Sequence, residues 1–186
     1  MTLRIPPTSP SERDERTEEL LASMFRRPDG TEMNIFSTLA HHPKLLKRWA
    51  AFGGTLLFGG RLPARDRELL ILRTAWLCDA EYEWGQHVGI ALSSGVTEPE
   101  IEQIHTLGAS DEWSDTDRAL LTAVDELHQS SRITDETWKW LASLYDYQQL
   151  IEICMVIGQY HMVAFTFNSL GVEPEPGLPE FPSKQS

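Results

Sequence analysis

Residues 63–95 read PARDRELLILRTAWLCDAEYEWGQHVGIALSSG. Two helices joined by a short turn account for this stretch. Pro63 suits a helix start, because its fixed φ and missing N–H cost nothing in the first turn. The segment that follows, through Cys78, holds Leu69, Ile71, Leu72 and Ala75 at spacings that a helix brings together. A second helix is predicted from Glu81 to Ser94 and closes on Gly95, a residue suited to the left-handed position after a helix. The connection at 78–81 is short, so the two helices must lie antiparallel and adjacent.

Outward from this pair, nearly every start and stop signal is helical. A short helix is predicted at 15–26, ending before the RPDG turn. Residues 35–58 carry apolar groups in helical register, with Pro43 in the first turn of a second helix. Thr97 with Glu100 forms a capping box for 98–107, and Ser114 precedes a helix striped by Leu120, Leu121, Val124 and Leu127. Thr134 caps a helix to about Tyr145, and a long helix from Gln148 stops at Gly171. No stretch alternates with a period of two, and Asp29–Gly30 joins helical patterns rather than strands. The fold class is all-α. One helical domain is expected over 15–172, between an extended proline-bearing arm (1–14) and a Pro-rich tail (173–186) with too little apolar content to fold alone.

The 186 residues are 41% hydrophobic and carry 16 basic against 28 acidic side chains, a formal charge of −12. The excess lies beyond residue 62, where seven Lys/Arg face twenty-one Asp/Glu. Nucleic-acid binding needs clustered cations to displace counterions from phosphates, so no nucleic-acid partner is expected. The opening MTLRIPPTSP lacks the apolar run of a signal peptide. Residues 148–170 are interrupted by Glu152, Gln159 and His161, and no membrane span is expected there. The two cysteines, Cys78 and Cys154, form neither a Cys-x-x-Cys pair nor a zinc-type spacing, and read as reduced thiols of a cytoplasmic protein.

The second helix of the opening stretch poses the functional question, since Glu81, Glu83 and His87 stand among aromatics and apolar groups. Glu83 and His87 are four apart and share a helix face. Glu68 precedes the turn by about as many residues as His87 follows it, so the two should sit at similar depth. A carboxylate in apolar company has its neutral form favoured, while a histidinium beside it favours the charged form. Two carboxylates and an imidazole together can therefore exchange protons near neutral pH. The plainer reading is a solvated helix-surface pair of no more than about 0.5 kcal/mol. A metal held by Glu and His would need further ligands, and none is evident; no metal or organic cofactor is expected.

The run RELLILRTAWLCDAEYEWGQHVGIALSSGVTEPEI, with DELH at 125–128 and LIEICMVIGQYHMVAFTFNSLGVEPE beyond, resembles the carboxymuconolactone decarboxylase family, which includes the alkyl-hydroperoxidase-D-like proteins. The resemblance implies a compact helical domain that assembles into homo-oligomers, often trimers or hexamers. It also implies a pocket in which Glu68 and His87 take the family's glutamate and histidine positions. The redox branch carries a Cys-x-x-Cys pair between them, and those positions here hold Ala80 and Glu83. Its disulfide cycle cannot run there, and Cys78 is about 200° round a helix from the first position. The chain instead resembles the cysteine-free group marked by Tyr-Glu-Trp-x-x-His, here Tyr82, Glu83, Trp84 and His87.

The expectation is thus a cofactor-free lyase or isomerase of the carboxymuconolactone decarboxylase type, acting on a small carbon acid or lactone through Glu68, Glu83 and His87. Two alternatives stand beside it: a peroxidase-type antioxidant using Cys78 or Cys154, and an oligomer that binds a small ligand without chemistry. Tyr82 either orients a substrate oxygen or packs at an interface. Arg73 either pairs with a carboxylate in the core or clamps a substrate carboxylate. His161 is either a satisfied core histidine or a pocket-lining group. Trp84 reads as core or subunit contact. His41 and His42 read as surface residues, and His105 and His128 are given no role.

Overall fold

The computed structural model describes residues 2–27, 29–105 and 113–183. Nine α-helices are present among them: α1 (Glu15–Ala22), α2 (Asn34–Leu39), α3 (Pro43–Gly54), α4 (Ala64–Leu77), α5 (Glu81–Ser93), α6 (Glu98–Gln103), α7 (Asp115–Ser130), α8 (Asp135–Leu144) and α9 (Tyr147–Leu170). The capping box at Thr97–Glu100 forms as expected, Ser114 forms a second one with Asp117, and Thr134 caps α8 through the Thr137 N–H. The end of α6 falls short of the predicted 107, and residues 106 and 107 lie outside the described set.

The stretch that opened the sequence is the centre of the molecule. Helix α4 packs against α5, α7 and α9, and every residue from Glu68 to Ala75 is buried. A helix covered on all sides must satisfy its polar groups internally. Thr74 therefore donates to the Leu70 carbonyl at 2.8 Å, and Arg73 forms a two-pronged pair with Asp125 of α7 at 2.8 Å on each prong. Arg65, nearer the helix start, reaches Asp117 of α7 and Glu100 of α6. Leu69, Leu70, Ile71 and Leu72 are fully enclosed. Cutting any of them to alanine would cost about 2–5 kcal/mol, through lost transfer energy and the void left behind.

Departures from the predicted helices lie at the edges. Helix α1 ends at Ala22 rather than 26, because the Ser23 hydroxyl takes the Leu20 carbonyl and the chain then doubles back in an isolated bridge between Arg26 and Glu32. The span 35–58 divides into α2, α3 and a π-helical turn at Thr55–Gly59. Such turns widen the backbone and leave carbonyls off the normal ladder. Here the Leu57 carbonyl accepts from Arg67 at 2.8 Å, which becomes important at the site.

Helix α9 is long and apolar enough to cross a membrane by length and composition, yet half of its most apolar window is buried within the protein against α4. It serves here as a core helix. Both flanking segments pack against the helices. In the arm, the Arg4 N–H reaches the Leu170 carbonyl at 2.9 Å and Thr8 is buried against the Ser37 carbonyl. Gly171 closes α9 at φ +71°, and Thr2 lies so near that any side chain there would collide with its carbonyl oxygen. In the tail, Leu178 rests against Gly85, and Phe181 stacks on Trp76 at 5.5 Å and meets Trp84 edge-on at 5.6 Å. The tail that could not fold alone is a strap across α5.

Candidate active site

Helices α4 and α5 bring Glu68 and His87 to the same depth, as their distances from the turn require. The His87 Nδ1 lies 2.7 Å from Glu68 Oε2, and both side chains are buried. The other Glu68 oxygen accepts from Arg67 at 2.9 Å, and Arg67 is held in turn by the Leu57 carbonyl of the π-helical turn. A relay thus runs from backbone to Arg67 to Glu68 to His87. A carboxylate on Nδ1 fixes the tautomer with its proton there, which leaves the Nε2 lone pair for whatever enters from the other side.

Glu83 answers the question posed by its helix. It does not pair with His87 on a solvated surface. It is 2% exposed, and neither carboxyl oxygen finds a hydrogen-bond partner among the described residues. Burial without compensation penalises the charged form and pushes its carboxyl well above the ordinary range. Burial therefore favours the neutral form of Glu83, one helical turn from His87.

Glu83 and His87 face a cavity of about 750 Å³ whose walls are mostly apolar, including Met33, Ile35, Phe36, Trp49, Val163 and Phe167. Tyr160 of α9 closes the site from above His87, with ring centroids 4.9 Å apart and planes nearly perpendicular. Burial above all holds the Tyr160 hydroxyl well above its usual value, so it stays protonated. Gln159 also lines the cavity, and its side-chain oxygen is buried without a partner among the described residues. Lys47 brings a cation to the cavity wall.

The remaining predicted residues sit differently. Tyr82 lines the cavity with its ring, but its hydroxyl donates to Glu175 of the tail at 2.9 Å and accepts from the Ile35 N–H at 3.3 Å. That hydroxyl belongs to the wall rather than to a substrate. Burial and the Glu175 charge push it far above the ordinary phenol range. Glu175 also takes the Gln86 amide and the Asn34 N–H, each at 2.6 Å, and so ties α2, α5 and the tail together. Arg73 is not brought to the cavity, because Asp125 and the Ile104 carbonyl occupy its guanidinium. His161 is likewise elsewhere: it faces His128 and Cys78, and burial followed by the His128 charge lowers it from its ordinary value. Among groups the sequence reading did not assign, Gln159 and Tyr160 left a faint signal as polar atoms interrupting an apolar helix. Arg67 and Glu175 left none, since one is an ordinary helix cation and the other sits in a proline-rich segment.

Solved structures share this architecture. An uncharacterised peroxidase-related protein of Ralstonia eutropha, described as an alkylhydroperoxidase AhpD core, superposes with a TM-score of 0.80 at 17% identity, covering 93% of this chain and 92% of its own. The debrominase Bmp8 superposes at 0.75 with 17% identity, covering 95% and 94%. A peroxidase-related protein of Silicibacter gives 0.74 at 17% identity, with 95% and 92% covered. No curated protein matches the chain by sequence. The fold is therefore the all-helical alkyl-hydroperoxidase-D type. A model of the carboxymuconolactone decarboxylase family matches residues 43–126, a span from α3 through most of α7 that includes Glu68, Glu83 and His87.

Proposed function

We propose that this protein is a cofactor-free lyase or isomerase that moves a proton on a small, largely apolar carbon acid or lactone. The observation that carries this reading is the pairing of opposites in one cavity: a buried Glu83 carboxyl with no hydrogen-bond partner among the described residues, beside an imidazole hydrogen-bonded to Glu68. His87 Nε2 takes a proton from the carbon next to a carbonyl. The Glu83 carboxyl donates its hydrogen bond to the oxygen where enolate charge develops, and that electrostatic contribution is usually the larger one. Glu68, itself positioned by Arg67, holds the resulting imidazolium. Return of the proton to a different atom gives an isomer. With a β-keto carboxylate the C–CO2 bond breaks in place of the C–H bond: its electron pair forms the same enolate as CO2 leaves, and a proton taken from solvent passes through His87 to the carbon. Lys47, rather than Arg73, is the cation placed to meet a substrate carboxylate. The debrominase relative is known in complex with 2,3,4-tribromopyrrole, a compact planar ring, which supports a substrate of that scale.

The test is deuterium wash-in from heavy water into a panel of enolisable lactones and β-keto acids, followed by NMR. The native protein should exchange at least one panel member. His87→Ala should lose about 10²-fold or more of that rate, the usual contribution of a positioned base. Glu83→Leu should lose about 10²-fold, the scale of one oxyanion donor. Exchange unchanged in both variants would remove the assignment. We further propose that the protein works as a homo-oligomer, since α9 presents Ile151, Met155, Met162 and Phe165 outward, each more than 40% exposed.

A further inference from the structure

On the far side of α9 from the cavity, three side chains from three helices meet. Cys78 caps the end of α4, His128 lies in the last turn of α7, and His161 follows Tyr160 on α9. Their ligand atoms all fall within 4.8 Å of one another. From this cluster we propose a binding site for a late d-block divalent cation of the zinc type, held by the Cys78 thiolate and the His128 and His161 imidazoles.

Three features of the geometry prepare it. The His161 Nδ1 donates to the Ile157 carbonyl at 2.8 Å, which fixes the tautomer and turns the Nε2 lone pair toward His128. A backbone carbonyl behind a histidine is the usual support for a metal-ligating ring. Next, His128 Nδ1 and His161 Nε2 stand 2.9 Å apart, sharing a proton. Zinc–nitrogen bonds of about 2.0–2.1 Å would set two tetrahedral ligands about 3.3 Å apart, so a cation replaces that proton with an opening of a few tenths of an ångström. Last, the turn bearing Cys78 is held in place by α9 itself, where the Asn168 amide donates to the Cys78 carbonyl at 2.8 Å.

The field at the cluster also favours a cation. Cys78 and His128 both lie at helix C-termini, where unpaired carbonyls present the negative end of the helix dipole. One soft thiolate with two imidazoles selects zinc, cobalt or copper over magnesium and calcium, which want oxygen. His128 is exposed, so water can complete a four-coordinate shell. The site is separate from the Glu68–His87 pair: it shares no residue with the cavity, only the helix that lies between them.

The experiment uses the full chain, stripped with chelator and titrated with cobalt(II) chloride, then with zinc chloride. One equivalent of cobalt should bring tetrahedral visible bands and a near-ultraviolet thiolate-to-cobalt band, both displaced by zinc. Cys78→Ser should abolish the thiolate band, and His128→Ala should weaken binding by about tenfold or more. Cys154→Ser should change neither. Should Cys78→Ser fail to fold, alkylation of the native protein decides the matter: zinc should shield Cys78 and leave Cys154 as reactive as before. A thiolate band that is absent, or that survives Cys78→Ser, overturns the proposal. So does equal alkylation of Cys78 with and without zinc.

Discussion

Glu83 is the residue on which most turns, because a buried carboxyl with no hydrogen-bond partner among the described residues costs stability unless it stays neutral. Its raised pKa makes that cost depend on pH. Below the ordinary carboxyl value near 4.5 both folded and unfolded chains carry the proton, and Glu83 makes no difference. Above it the unfolded chain releases the proton while the folded chain holds it, so stability falls as pH rises toward the raised folded value. Glu83→Gln removes that slope. Its melting temperature should match the native protein near pH 4 and exceed it increasingly toward pH 8, read by circular dichroism. In the proposed reaction the same proton governs the rate: it should fall on the alkaline side as Glu83 ionises, and that limb should vanish in Glu83→Gln. Spacing alone brought Glu68 to His87, since equal distances from one turn fix equal depth. Spacing could not tell that Glu83 would be buried without a hydrogen bond to its i+4 neighbour, because that depends on which other helices cover α5.

At the scale of the element, the tail is where composition misled. A segment of prolines and glutamates cannot make a core, but it can lie on one if a few side chains find partners. Glu175 finds three donors and Phe181 finds two indoles. Glu175→Ala would leave the Tyr82 hydroxyl, the Gln86 amide and the Asn34 N–H facing a void, at a cost of about 1–3 kcal/mol. Urea denaturation should show that loss, and limited proteolysis should cut within 173–183 sooner than in the native chain. Gly171→Ala should be as damaging by another route, through its positive φ and the collision with Thr2. The helices themselves were legible because caps and apolar periods are local signals. The π-helical turn at Thr55–Gly59 was not, since it answers a demand from Arg67 that only the folded chain presents.

For the whole molecule, the outward apolar stripe of α9 and the two thiols carry the remaining tests. Light scattering after gel filtration should give a mass that is a multiple of 21.1 kDa, and Ile151→Asp with Phe165→Asp should shift it toward the single chain. A free-thiol count before and after a modest excess of peroxide should remain at two per chain, as fits a site with Ala80 and Glu83 where a redox pair would stand. Rapid loss of both thiols would instead move the chemistry to Cys78 and Cys154. The all-helical class was readable from end to end. Arg73 was not, because a cation in an apolar run predicts a partner without naming it, and Asp125 lies on a helix fifty residues on.

The central place of α4 also bears on how the molecule is made. A chain emerging from the ribosome delivers α4 and α5 early, so Glu68 and His87 can meet while the nascent chain is still growing. The face of α4 that carries Leu70 and Ile71 then waits for α7 and, last, α9. Tyr160 and Gln159 arrive with α9, and Glu175 follows them. The Glu68–His87 pair is thus assembled before α9 closes its cavity, and a stalled nascent chain would present that pair in a pocket still lacking Tyr160, Val163 and Phe167.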